Sequence, residues 1–232
     1  KKRFAFINED FERLANIINE NNMSAISGGI IADLGISSMQ INDPKRGFSF
    51  MRNGPLDMRM SKYGISAKDL IYTADEKKLA KILWKYGDER HSRAIAKLIV
   101  QERQITNIDT TFKLVKIIRK VKNKYGTKKS HPATKTFQAL RIAINKELDS
   151  LAELLKVSAN VLLPGARLVI ITFHSLEDRM VKLYFNKISG RQSRANRHLP
   201  EIFKYANVEQ FFEGIDFTNS KSKSVNSLSK IQ

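Results

Sequence analysis

The sequence predicts an α/β fold interrupted by an all-α insertion, and three observations carry that prediction. Two short apolar runs, Gly28–Asp33 and Arg167–Thr172, read as strands buried on both faces, the pattern of a parallel sheet. Each run ends in polar groups, and in open α/β sheets ligands sit beyond the carboxyl ends of strands. Between the runs, residues 73–131 carry helical periodicity alone.

The elements follow in order. Arg3–Ile7 is a short apolar strand candidate. Phe11, Leu14, Ile17 and Ile18 recur at helical spacing, so residues 10–21 form an amphipathic helix. With Gly28–Asp33 this makes a strand-helix-strand unit, expected to be parallel with a right-handed crossover. Asp33, where the run stops before a Gly-Ile-Ser-Ser turn, is a site candidate; the competing reading is a cap on the next turn. Residues 41–66 are broken by Pro44, Gly47, Gly54, Pro55 and Gly64, yet hold Arg46, Phe48, Phe50, Arg52, Asp57 and Arg59. A loop of this length and content reads as a lid or a substrate wall.

Three helices are expected between 73 and 130, the last opened by an Asp109-Thr110 cap and studded with Lys113, Lys116, Arg119, Lys120, Lys122, Lys124, Lys128 and Lys129. Phe137 through Leu162 then read as one long amphipathic helix, ending at Leu163-Pro-Gly165. The second buried strand ends in Phe173-His-Ser-Leu-Glu-Asp-Arg179, either a reactive cluster or a helix N-cap with acidic first-turn residues. Arg191, Arg194, Arg197 and His198 form a basic patch, and the tail from Thr218 reads as disordered. The domains expected are a discontinuous core (1–72 and 132–190), a helical insertion (73–131) and a basic tail (191–232).

A formal charge of +18 over 232 residues favours a polyanionic partner. With no cysteine, disulfides, thiolate metal sites and cysteine nucleophiles are excluded. Four histidines without a His-x-x-x-His pair give no expectation of a metal. No apolar run approaches the roughly 18 residues that span a bilayer. No signal-peptide pattern opens the chain, so no membrane partner and a cytoplasmic location are expected.

Five stretches match one family in order. They are Asp33–Gln40 (DLGISSMQ), Arg46–Phe50 (RGFSF), Gly54–Met60 (GPLDMRM), Pro132–Leu148 (PATKTFQALRIAINKEL) and Phe173–Lys182 (FHSLEDRMVK). Together they resemble the bacterial 16S ribosomal RNA cytosine-N4 methyltransferases, the RsmH or MraW family. The resemblance implies a class I, Rossmann-like S-adenosylmethionine (SAM) methyltransferase core with a helical insertion, acting on a cytidine of 16S rRNA in the small ribosomal subunit. It implies SAM contacts at Phe11, Asp33 and Gln40; periodicity alone would make Phe11 plain helix core. The family's first βαβ unit, with a Gly-Gly-His loop under SAM, is not seen, so a fragment is expected. The oligomeric state is left open, a homodimer included.

Methyl transfer to cytosine N4 needs acceptors for the amine protons, because its lone pair is delocalised into the ring. An ionised carboxylate is acceptor-only and suits that role. Asp57, Glu177 and Asp178 are candidates, and His174 is a candidate proton acceptor. Phe48 and Phe50 are candidates for stacking on an exposed base, and Arg46, Arg52 and Arg59 for phosphate contacts. Two alternatives stand beside the methyltransferase reading: an inactive RNA-binding remnant of that family, and a basic helical protein that binds nucleic acid without specificity.

Overall fold

The computed structural model of the chain describes residues 4–23, 25–61, 63–123 and 131–189. The expected tail, and Lys124, Lys128 and Lys129, lie outside the described residues. In chain order the elements are a 3-10 turn at Phe11–Arg13, α1 (Leu14–Glu20), β1 (Gly29–Asp33), α2 (Ser38–Asn42), a 3-10 turn at Pro44–Arg46, α3 (Ala67–Thr73), α4 (Glu76–Gly87), α5 (Ser92–Ile105), α6 (Thr111–Lys122), α7 (Thr134–Asn145), α8 (Glu147–Val161), β2 (Arg167–Ile171) and α9 (Ser175–Ile188). Contacts divide the chain into two compact units, Lys1–Gly35 with Leu148–Gln232, and Ile36–Glu147. The boundaries expected from the sequence lie at 72 and 132. By contacts the long loop and α7 go with the helices, because Phe48, Leu56, Met58 and Phe137 share their core.

In the first unit β1 and β2 pair in parallel, from Gly29 opposite Arg167 to Asp33 opposite Ile171. Gly29 is required there, since a Cβ would lie 2.6 Å from the Arg167 carbonyl oxygen. The strands alternate in burial instead of being buried on both faces as expected. Ile31 is 77% exposed, and Val169 and Ile171 share its exposure at 46% and 45%. The described residues supply a single ladder of two strands, with no covering layer on that face. The expected strand at Arg3–Ile7 is not formed in its described part. Phe4 and Phe6 are exposed and have no ladder partner, and an unpaired strand cannot satisfy its backbone. The parallel partner of β1 is therefore β2. The unit's buried residues come mainly from the helices, including Ile18 of α1, Leu151, Leu154 and Leu155 of α8, and Met180 and Tyr184 of α9. The Tyr184 hydroxyl donates to the Leu155 carbonyl at 2.8 Å.

The second unit is a helical assembly with one continuous apolar core. Its helices begin where short polar side chains satisfy the first free N–H groups. Ser66 caps α3 in a capping box with Asp69, Asp75 caps α4, and Thr110 caps α6 as expected. Leu79 and Leu83 of α4, Ile95 and Ile99 of α5, and Leu114 and Ile118 of α6 are fully buried. Glu89 is also buried, paired with Lys122 and accepting the His91 N–H at 3.1 Å. The single long helix expected after Thr134 is two helices. Lys146 ends α7 with φ of 50°, a left-handed geometry that stops a helix. Arg141 then forms a two-pronged pair with Glu147, at 2.8 and 2.7 Å.

Candidate functional site

The candidates divide between the two units. Phe11, Asp33, His174, Glu177 and Asp178 lie in the first, and Gln40, Arg46, Phe48, Phe50, Arg52, Asp57 and Arg59 in the second.

Asp33 stands at the carboxyl end of β1 with its side chain exposed. Its carboxylate makes no hydrogen bond or ion pair among the described residues. It does not cap the helix that follows. Ser37 does so, accepting from Gln40 N–H while the Gln40 side-chain oxygen accepts from Ser37 N–H at 3.0 Å. Gly35, at φ of 91°, makes the turn after the strand; a Cβ there would meet the Phe173 ring at 3.6 Å. Phe11 lies in the 3-10 turn with 41% of its surface exposed, so it is not helix core.

His174 and Glu177 build the start of α9 between them. The Glu177 N–H donates to His174 Nδ1 at 3.4 Å, and Glu177 Oε2 accepts from the backbone of Phe173 and His174 at 2.9 and 3.3 Å. That places the imidazole proton on Nε2, which lies 3.2 Å from Glu177 Oε1 at an angle outside hydrogen-bond geometry. Burial pushes the Glu177 carboxyl up. The His174 ring close by and the backbone N–H groups of Phe173 and His174 outweigh it and hold the group below its ordinary value. The capping arrangement left open by the sequence is thus formed, and it occupies the one lone pair His174 has to offer. Asp178, one residue on, is half exposed and pairs with Lys182 at 2.9 Å.

The loop 41–66 is bound into the helical core and is not an open flap. Leu56 and Met58 are 1% exposed. Gly47, at φ of 69°, and Gly54 bring two strands of the loop so close that a Cβ would strike the Pro55 and Pro44 carbonyls respectively. Arg46 donates to the Arg59 and Met60 carbonyls at 2.7 and 2.8 Å, and Arg52 to the Asn42 carbonyl at 2.6 Å. Arg59 clamps both oxygens of Asp57, at 2.9 and 2.8 Å, and this bond holds the Asp57 carboxyl below its usual range. From further along the chain, Asn145 donates to the Met58 carbonyl and accepts the Met60 N–H. Phe48 is buried, with the Arg46 guanidinium 5.8 Å from its ring centre. Phe50 is half-buried and stacks on His131.

Sequence reasoning passed over the wall beside that stack. Phe112, Lys116, Arg119 and His131 line one groove with Phe50 and Met51. The signal was available: Phe112 falls out of phase with the apolar stripe of α6, on its lysine and arginine face.

Comparison with known proteins now decides the family. The MraW methylase family model matches residues 1–214. The chain belongs to that family. Proteins named ribosomal RNA small subunit methyltransferase H are its relatives. The one from Xanthobacter autotrophicus is 48% identical over 200 residues, covering 86% of this chain and 57% of the relative. That of Methylobacterium nodulans is 44% identical over 204 residues, with 88% and 60% covered. That of Roseobacter denitrificans is 49% identical over 174 residues, with 75% and 53% covered. The chain therefore spans a little over half the length of these relatives. Its mixed architecture, with a small parallel sheet and many helices, accords with an MraW-type methyltransferase core. No helix among the described residues is long and apolar enough to cross a membrane.

Proposed function

We propose that this MraW-family chain carries out, or forms the larger part of a protein that carries out, SAM-dependent N4-methylation of a cytidine in 16S rRNA, in the cytoplasm. The observation that supports it most is Asp33, an uncommitted carboxylate at the end of a parallel strand, in a chain whose relatives are named rRNA methyltransferases. The residues fit the cofactor. Asp33 offers an acceptor for an amine or hydroxyl, and Phe11 offers an exposed ring face for adenine. Gln40 joins them in the proposal, although its side chain now closes a helix cap. When bound, SAM supplies an activated methyl group for in-line displacement.

The protein's own contribution is alignment and proton management. An acceptor facing N4 localises the amine lone pair and then takes up the released proton. Of the four proposed groups, Asp178 is the least committed, holding one exposed ion pair. Asp57 is saturated by Arg59, and His174 must first release the Glu177 N–H to accept a proton. Phe50 and Arg52 present surface for RNA, while Arg46, Phe48 and Arg59 hold the loop that displays them.

The test is calorimetric titration of SAM into the full chain and into Asp33→Ala. Micromolar binding that the substitution abolishes supports the reading. Absence of binding by a folded sample overturns it for this chain and favours the RNA-binding remnant.

A further inference from the structure

The groove beside α6 has a volume of about 530 Å³, and its lining joins aromatic faces to cations. Its floor is the Phe50–His131 stack, with ring centres 4.5 Å apart and planes 6° from parallel. Phe50 also meets the Phe137 ring edge to face, with ring centres 5.6 Å apart. Met51 and Phe112 stand at the rim, 70% and 48% exposed. One wall is cationic, because Lys116, Arg119 and Lys120 follow at three- and four-residue spacing on one face of α6. Lys120 is already paired with Glu102, whereas Lys116 has no partner among the described residues.

The contact between Arg119 and His131 is the informative one. His131 Nδ1 accepts the Ala133 N–H at 3.2 Å, so the proton of the neutral ring sits on Nε2. That Nε2 lies 3.2 Å from Arg119 Nη2, which is always a donor. Two N–H donors converge with no acceptor between them among the described residues. An anionic oxygen in front of both would satisfy the pair, and phosphodiester oxygens are such acceptors.

We infer that this groove holds one nucleotide of single-stranded RNA, its phosphate between Arg119 Nη2 and His131 Nε2 with Lys116 alongside, and its base against Phe112 and Met51. The inference rests on the rRNA-methyltransferase reading for the identity of the polymer. Aromatic rings serve a base and not a bare phosphate, and the exposed Phe112 and Met51 leave a ring-sized face open in the groove. Burial, and the charges of Arg119 and Lys122 on α6, hold His131 below its ordinary value of 6.5. The ring is therefore neutral, its Nδ1 lone pair is held by the Ala133 N–H, and Nε2–H is ready to donate to a phosphate with no proton taken up.

The experiment is fluorescence anisotropy with a labelled single-stranded RNA hexamer and an abasic hexamer of equal charge, on the full chain without SAM. Phe112→Ala should weaken the hexamer about tenfold and leave the abasic strand unchanged, as base-stacking energies imply. Met51→Ser should act in the same direction. Arg119→Ala should weaken both strands. The control Lys77→Ala, an exposed charge on α4, should change binding less than about twofold. His131→Ala should weaken both strands, as Arg119→Ala does. Equal losses for Phe112→Ala and Lys77→Ala, or equal binding of the two strands by the wild type, would overturn the inference. Because no step uses SAM, a failed SAM titration with an intact groove response refutes the methyltransferase reading alone. The converse pair of results refutes only the groove.

Discussion

The helical unit and the two-stranded sheet use similar apolar residues with opposite outcomes. In the helical unit Leu79, Leu83, Ile95, Ile99, Leu114 and Ile118 are all fully enclosed. On the sheet, Ile31, Val169 and Ile171 face outward. A helix satisfies its own backbone, so three or four amphipathic helices close a core wherever their stripes meet. A strand satisfies half its backbone through each neighbour and needs a separate layer for each face. Enclosing a sheet is thus a demand on many distant segments, whereas enclosing helices is nearly a local affair.

Substitutions sharpen that contrast. Ile118→Ala, in the closed core, should lower the unfolding free energy by about 3 kcal/mol in urea denaturation, within the usual range for large-to-small changes. Ile31→Ala, an equal truncation, should cost less than about 0.5 kcal/mol, as exposed positions do. Comparable losses at the two sites would mean that the outer face of β1 is covered in solution. Tyr184→Phe should cost about 1 kcal/mol, the net worth of its hydroxyl bond to Leu155, and would show how firmly α8 and α9 close the sheet-bearing unit. Thr110→Ala should cost about 1 kcal/mol through loss of the α6 cap.

Two effects of pH are smaller and mark the two units separately. The Asp57 carboxyl, hydrogen-bonded to Arg59, titrates below its ordinary 3.8. Its contribution is therefore fully present above that value and is lost as the pH falls through the lower folded value. The stability gap between wild type and Asp57→Asn should close over that acid range and be constant from pH 5 to 7. Burial pushes the Tyr184 hydroxyl up to about 12, so in the folded protein its tyrosinate absorbance should appear only near that pH.

The legible parts of the sequence were those whose causes are local. Helical periodicity gave the helices between 73 and 130, and Thr110 gave the start of α6, because periodicity and caps act within a few residues. Both strands were legible from their apolar runs, but their burial was not, since it depends on which layers adjoin them. The Arg3–Ile7 run looked like a strand because composition does not say whether a partner exists. The break at Lys146 was hidden by an apolar pattern that continues through it; only a residue able to take φ of 50° marks the spot, and lysine carries no such signal. At the site, five ordered motifs named the family. The roles inside them were harder to read. Glu177 serves a helix cap, and Asp57 is bound by Arg59, partnerships that spacing alone cannot distinguish from availability.

The loop anchored in the helical core carries a consequence for how the chain is made. Its middle is held by Thr111, whose bonds reach back 57 and 59 residues, and by Asn145, which reaches back 85 and 87. During synthesis from the amino terminus, residues 41–66 emerge long before either anchor exists. The helices between can form as they appear, but the loop waits for the start of α6 and then for the end of α7. The motif-rich segment that looks most like an independent feature in the sequence is thus the last part of its unit to settle. A protease added to nascent chains stalled at residue 130 should cut within it, and the cuts should fade once Asn145 has emerged.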